Sequence, residues 1–210
     1  MADNLKNKEG QKCNSTECND GKKLYTVTVF SENQVGLLNQ ISIIFTRRRL
    51  NIESLSVSQS ALPGIHKFTI TTITDEDTIE KVVKQIDKRI DIIKSFYNDD
   101  SDLVYQEIAM YKIATEDFIK LNGTEDLIRK YNIRILELTE TCVIFEKTGH
   151  SDETQGLFNE LSQKVQVLQF IRSGRVAITK SKIERLSDML AKLNELSHNG
   201  IDQKEDKTGL

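Results

Sequence analysis

Ser31-Glu32-Asn33-Gln34-Val35-Gly36-Leu37-Leu38 joins two different hydrophobic periods, and Asn51-Ile52-Glu53-Ser54 echoes it downstream. Before it, residues 24–30 read Leu-Tyr-Thr-Val-Thr-Val-Phe, a β-branched and aromatic run that predicts a strand. After it, Leu37, Leu38, Ile41, Ile44 and Phe45 fall on one helical face and predict an amphipathic helix over 37–49. Asn33 is the expected cap of that helix, and Gly36 lets backbone come close to whatever sits at its start. The first N–H groups of a helix have no internal partner, and the macrodipole leaves that end partly positive. The pattern fits either a plain capped helix after a strand or a small anion site suited to a carboxylate.

Outward from this turn, Arg47, Arg48 and Arg49 close the helix, where cations suit the C-terminal dipole. Residues 52–59 alternate, with Leu55 and Val57 to one side and Ser54, Ser56 and Ser58 to the other, the pattern of a half-buried strand. Ala61-Leu62-Pro63-Gly64 is a turn, and residues 66–74 are the next strand. Thr74-Asp75-Glu76-Asp77 has the form of a capping box before a helix with Ile79, Val82, Val83 and Ile86 on one stripe. Residues 90–97 complete a β-α-β-β-α-β order, the ferredoxin-like arrangement of a four-stranded antiparallel sheet with both helices on one face. Residues 99–104 are a polar linker.

The order then recurs with a period of about 80 residues. Strands are expected at 105–114, 132–138, 141–147 and 165–178, the last broken at Ser173-Gly174. Helices are expected at 124–131, with Leu127, Ile128 and Tyr131 inward, and after Ser151 as a cap, with Leu157, Phe158 and Leu161. The fold class is therefore α+β: two ferredoxin-like domains, 23–98 and 105–180. Residues 1–22 are polar and expected to be disordered. Residues 181–210 hold an amphipathic helix, with Ile183, Leu186, Leu190 and Leu193 at heptad-like spacing, and a polar tail. That helix fits packing on its own domain or on a partner.

Composition narrows function by exclusion. A net charge of −3 gives no electrostatic case for nucleic acid or an anionic membrane. The sequence holds no apolar run of spanning length and no signal-peptide core, so cytoplasm is the expected compartment. Three cysteines argue against a disulfide framework, and Cys13 and Cys18 lack the second pair that a zinc site needs. No Walker loop, GxGxxG, GxSxG or HExxH is present. His66, His150 and His198 have no nucleophile or paired carboxylate at catalytic spacing, so no active site is expected on this chain.

Residues 24–38, followed by Phe45-Thr46-Arg47-Arg48-Arg49-Leu50-Asn51-Ile52-Glu53-Ser54-Leu55, resemble the ACT domain of acetolactate synthase small subunits. The Arg-x-x-Asn-Ile-Glu-Ser-Leu element is specific to that family among ACT domains. Glu107 to Ile113 resembles the strand that opens its C-terminal domain, Thr148-Gly149-His150-Ser151-Asp152 its Thr-Gly turn, and Phe170-Ile171-Arg172-Ser173-Gly174-Arg175-Val176-Ala177 its closing Arg-Ser-Gly segment. The resemblance covers residues 23–180.

It implies a regulatory subunit that does not catalyse. Such a chain activates the thiamine-diphosphate-dependent catalytic large subunit of branched-chain amino acid synthesis and confers feedback inhibition by valine. Thiamine diphosphate, magnesium and FAD are implied on that partner and none on this chain. The resemblance also implies a homodimer of side-by-side ACT domains. Asn33, Val35, Gly36, Leu37 and Leu38 of one chain then face Asn51 and Ile52 of the other across a valine site. Leu37 stands where the family has Ala or Val, and Asn39-Gln40 where it has Ser-Arg, both bordering the implied pocket. An amino-acid-sensing ACT regulator of a different partner enzyme remains the alternative reading.

Overall fold

In the computed structural model the described residues are 21–180, with the exception of 122. The N-terminal extension with Cys13 and Cys18, and the amphipathic segment and tail after residue 180, lie outside them. Two antiparallel sheets result, each with its own apolar core under its helices.

The first comprises β1 (Lys23–Glu32), α1 (Leu37–Arg47), β2 (Ser54–Gln59), β3 (Ile65–Thr74), α2 (Glu76–Ile86) and β4 (Ile92–Asn98), with strand order β2-β3-β1-β4. This is the expected βαββαβ unit. Strand β1 is central and buried on both faces. Val27 and Val29 meet Ile41, Ile44 and Phe45 of α1 and Ile79, Val82 and Ile86 of α2 in one cluster. On the other face Thr26 and Thr28 pair with Thr71 and Thr69 of β3, and all four are buried. The α2 stripe lies where its spacing predicts, but the cap is Asp75 rather than Thr74. The Asp75 carboxylate accepts from the Thr78 N–H at 2.8 Å, which holds its pKa below the usual carboxylate range.

Helix α1 stops at Arg47, two residues short of the expected end, in a Schellman turn. The Leu50 N–H donates to Phe45 O and the Arg49 N–H to Thr46 O, each at 3.0 Å. Arg49 therefore sits at φ 56°, in the left-handed region where glycine is usual. Arg48 turns back to donate to Gln85 Oε1 of α2 at 3.1 and 3.3 Å. In the second unit Asn132, at φ 51°, closes a helix the same way.

A 3₁₀ turn at Asp100–Asp102 leads to β5 (Leu103–Ala114), α3 (Thr115–Lys120), α4 (Thr124–Tyr131), β6 (Arg134–Leu138), β7 (Cys142–Gly149), α5 (Ser151–Lys164), β8 (Val167–Arg172) and β9 (Val176–Thr179). The order is β6-β7-β5-β8, and β9 also pairs with β5. Helix α3 was not legible in the sequence, being short and without an apolar stripe. Strands β8 and β9 share one edge of the long β5. Strand β8 pairs with residues 109–113, and β9 with residues 103–106. Ser151 does not cap α5; His150 holds that position without a side-chain bond, and the Ser151 hydroxyl accepts from Arg172 at 2.9 Å. Tyr111 anchors this core, stacked on Phe145, its hydroxyl donating to Thr154 O at 2.6 Å.

One stability test follows from the Schellman turn. Arg49→Gly should raise stability by about 0.5–1 kcal/mol, because a left-handed side chain costs about 1–2 kcal/mol and glycine returns part of that as unfolded-chain entropy. Urea unfolding measures it, and an unchanged or lowered midpoint would assign the Arg49 side chain a compensating contact.

Candidate functional site

The loop from β1 into α1 is built differently from its sequence reading. Strand β1 continues through Glu32, and the Asn33 N–H extends the ladder by donating to Gly64 O at 3.0 Å. Asn33 is thus still extended chain, too early to cap the helix. Gly36 holds the cap position at φ 86°, with no side-chain cap bond. The Leu37 N–H donates to Gln34 O at 3.4 Å, closing the turn. The N–H groups of Leu38 and Asn39 fall in the first turn, beyond reach of any carbonyl of the helix. Asn33, Val35 and Leu38 are exposed around them. Leu37 is not: its side chain is 1% exposed, in the core under the sheet. It offers backbone only, so the larger residue after the glycine does not border a pocket.

Asn51 and Ile52 follow the Arg49 turn at the other end of α1. The Asn51 carbonyl accepts from Thr72 Oγ1 at 2.6 Å and its exposed amide donates to Glu53 Oε1 at 3.0 Å. Ile52 is half-buried against the core. Helix α1 has 11 residues, so the two halves of the candidate site stand about 16 Å apart along its axis. One chain does not bring them together.

Strand β2 is an edge strand, and its burial is the reverse of the expectation. Leu55 and Val57 are 36% and 41% exposed, while Ser54 and Ser56 are half-buried. Ser54 meets Thr71 Oγ1 at 2.7 Å, and Ser56 lies beside Gly174 of the second unit. Leu38 and Ile43 of α1 add further exposed apolar surface. The missed signal was the strand's edge position, which periodicity does not report.

Among the described residues no cluster of three His, Cys, Asp or Glu is placed to hold a metal. The large pKa shifts belong to scaffolding groups. Hydrogen bonds from Lys130, Lys164 and Tyr131 pull Glu160 down to about 2, and burial pushes Tyr111 up. Among the described residues no helix is long and apolar enough to cross a membrane.

Comparison with known proteins agrees with this fold. Residues 27–94 match the AHAS small subunit-like ACT domain, and residues 106–194 match the domain described as the small subunit of acetolactate synthase. The chain is 27% identical over 169 residues to the acetolactate synthase small subunit of Bacillus subtilis, covering 79% of this chain and 95% of that one. It is 28% identical over 157 residues to the isozyme 3 small subunit of Salmonella typhimurium, covering 73% and 94%. The crystal structure of the small subunit from Thermotoga maritima superposes with a TM-score of 0.68 at 26% identity, covering 76% and 99%. Fold and matches together define a regulatory chain of the ACT class. It belongs to the acetolactate synthase small subunit family, whose members partner a catalytic large subunit. The second match runs on to residue 194, so the likeness extends past 180 into the segment first read as outside the pattern.

Gly36 tests the loop geometry. A Cβ there would meet nothing within 4 Å, yet φ is 86°. Gly36→Ala should therefore cost about 1–2 kcal/mol by backbone strain alone. Urea unfolding measures this, and an unchanged midpoint would mean that the turn relaxes freely.

Proposed function

We propose that this chain senses a branched-chain amino acid, valine first, at an interface between two copies of its N-terminal domain, and thereby regulates acetolactate synthase. The separation of the two half-sites along α1 is the observation that carries this reading. A single small amino acid spans Gly36 and Asn51 only if the second half comes from a second chain. The carboxylate of valine suits the free N–H groups of Leu38 and Asn39 at the positive end of α1. Its ammonium needs acceptors, which the Asn33 and Asn51 amide oxygens supply. Its isopropyl group suits Val35, Leu38 and Ile52.

The exposed edge of β2 supports the pairing. A twofold contact there presents the same patch from both chains. It would cover Leu38, Ile43, Leu55 and Val57 and satisfy the strand's open backbone groups. Effector binding at that contact shifts whatever equilibrium the paired domains possess, by its differential affinity for the two states. Thiamine diphosphate, magnesium and FAD belong, on this reading, to the catalytic chain, which this chain activates.

Acetolactate formation by the catalytic subunit, with and without this chain across a valine titration, tests the function. Stimulation by the chain and inhibition by valine are expected. Asn33→Ala should keep the stimulation and raise the half-inhibiting valine concentration roughly 10- to 100-fold, the loss of one hydrogen bond to a charged group. Unchanged inhibition would remove Asn33 from the site. Absence of any stimulation would assign the sensor to a different partner enzyme. Val57→Asp should convert a dimer to a monomer in sedimentation velocity, and persistence of the dimer would exclude the β2 edge as the contact.

A further inference from the structure

The connection between β8 and β9, Ser173-Gly174-Arg175, touches both sheets within three residues. Ser173 is fixed to β5: its N–H donates to Ile108 O at 2.8 Å, and its hydroxyl accepts from the Ile108 N–H at 3.0 Å. Gly174 lies flat on β2, where a Cβ would stand 3.4 Å from Leu55 O and 3.5 Å from Ser56 Cβ. Arg175 is 6% exposed. Its guanidinium pairs with Asp100 at 2.5 and 3.4 Å and lies 3.8 Å over the Tyr105 ring. Its Nη1 also donates to Thr26 Oγ1 of β1 at 3.4 Å. Just beyond, Lys67 of β3 donates to Ala177 O at 2.9 Å.

An acceptor without a partner lies on the sheet face that Arg175 reaches. Thr26 and Asn98 are direct partners in the β1–β4 ladder and so share a face. Asn98 Oδ1 is buried there without a hydrogen-bond partner among the described residues. A buried acceptor left open costs free energy. The bond from Arg175 to Thr26 is long, and the open acceptor belongs to Thr26's ladder partner on the neighbouring strand. Strand β2, on which Gly174 rests, begins just after Asn51 and Ile52.

We propose that Ser173-Gly174-Arg175 is the strut that passes effector occupancy from β2 to the second sheet, with Arg175 as its positioning residue. A shift of β2 presses on Gly174, and Arg175 converts it into a change of partners beside Asp100 and Tyr105. The proposal rests on the sensing site described above. It gives the coupling between sites a contiguous element that touches both sheets and that effector occupancy can bias.

The test uses the full-length chain, alone and assembled with the catalytic subunit. Three variants are compared with wild type. Gly174→Val crowds Leu55, and Arg175→Lys keeps the charge but loses the fork. Asp100→Asn combined with Arg175→Met removes both charges, leaving no lone buried ion. Each is titrated with valine by calorimetry as the isolated chain, then assayed for valine inhibition in the assembled enzyme, with Tm recorded. Valine should bind the isolated variants within about threefold of wild type, while the half-inhibiting concentration rises about tenfold or more, inside the usual range of allosteric coupling. A lowered Tm with both valine curves unmoved would overturn the proposal, since the strut would then only hold the fold. A parallel loss in both curves would also overturn it, since these residues would then belong to the site itself. Failure of valine to bind wild type would overturn the sensing site, and the strut with it, and is distinguished because the unsubstituted chain fails too.

Discussion

A guanidinium taken out of water must be matched on nearly every side, and Arg175 fixes how the two sheets meet. Its charge is answered by Asp100 in the turn between the units, its flat face by Tyr105 of β5, and one N–H by Thr26 of β1. Removing one member of a buried pair costs about 3–5 kcal/mol, because the other charge is left uncompensated. That penalty acts against any hinge motion that would pull Asp100 from Arg175. The joint also gives β1 a use for a hydroxyl rather than a valine at Thr26. Thr26 is buried against that polar joint, whereas Val27 and Val29 are buried against helices.

The remaining architecture follows from where each unit ends. A four-stranded βαββαβ sheet covers one face with helices and leaves two edges. Strand β4 runs into the turn that carries Asp100. Strand β2 keeps an open edge, with Leu55 and Val57 outward on the helix side and serines toward the second unit. The Schellman turn at Arg49 brings the chain from α1 onto this edge and sets Asn51 at its start. Helix α1 thereby becomes a spacer between two half-sites. On the proposed reading a second copy supplies the missing half of each, and ligand binding and self-association are then one equilibrium.

How much of this was legible depended on range. The stripe Ile79, Val82, Val83 and Ile86 gave α2 directly, because helical period is local. The repeat of the βαββαβ order and the Asn-Ile-Glu-Ser element were legible for the same reason. The caps were read one residue early at Thr74, three early at Asn33 and one late at Ser151. A cap depends on where the chain turns, and Gly36 turns it three residues after Asn33. The exposure of Leu55 and Val57 was hidden because alternation reports two faces without saying which is covered. The Arg175–Asp100 joint spans 75 residues of sequence and no periodicity announces it. Of the candidate site, Gly36, Leu38 and Asn51 lie at the surface, while Leu37 proved to be core.

The central claim is that each effector site takes its loop from one chain and its Asn51 from another. Calorimetric titration of a subunit mixture tests this directly. Asn33→Ala and Asn51→Ala chains, each defective alone, are unfolded and refolded together in equal amounts. In a twofold dimer, half of the molecules are then mixed, and one of their two sites is assembled from unaltered halves. The account predicts recovery of about a quarter of wild-type valine capacity at wild-type affinity. No recovery, with mixed dimers demonstrated by differential tags, would place each site within one chain and contradict it.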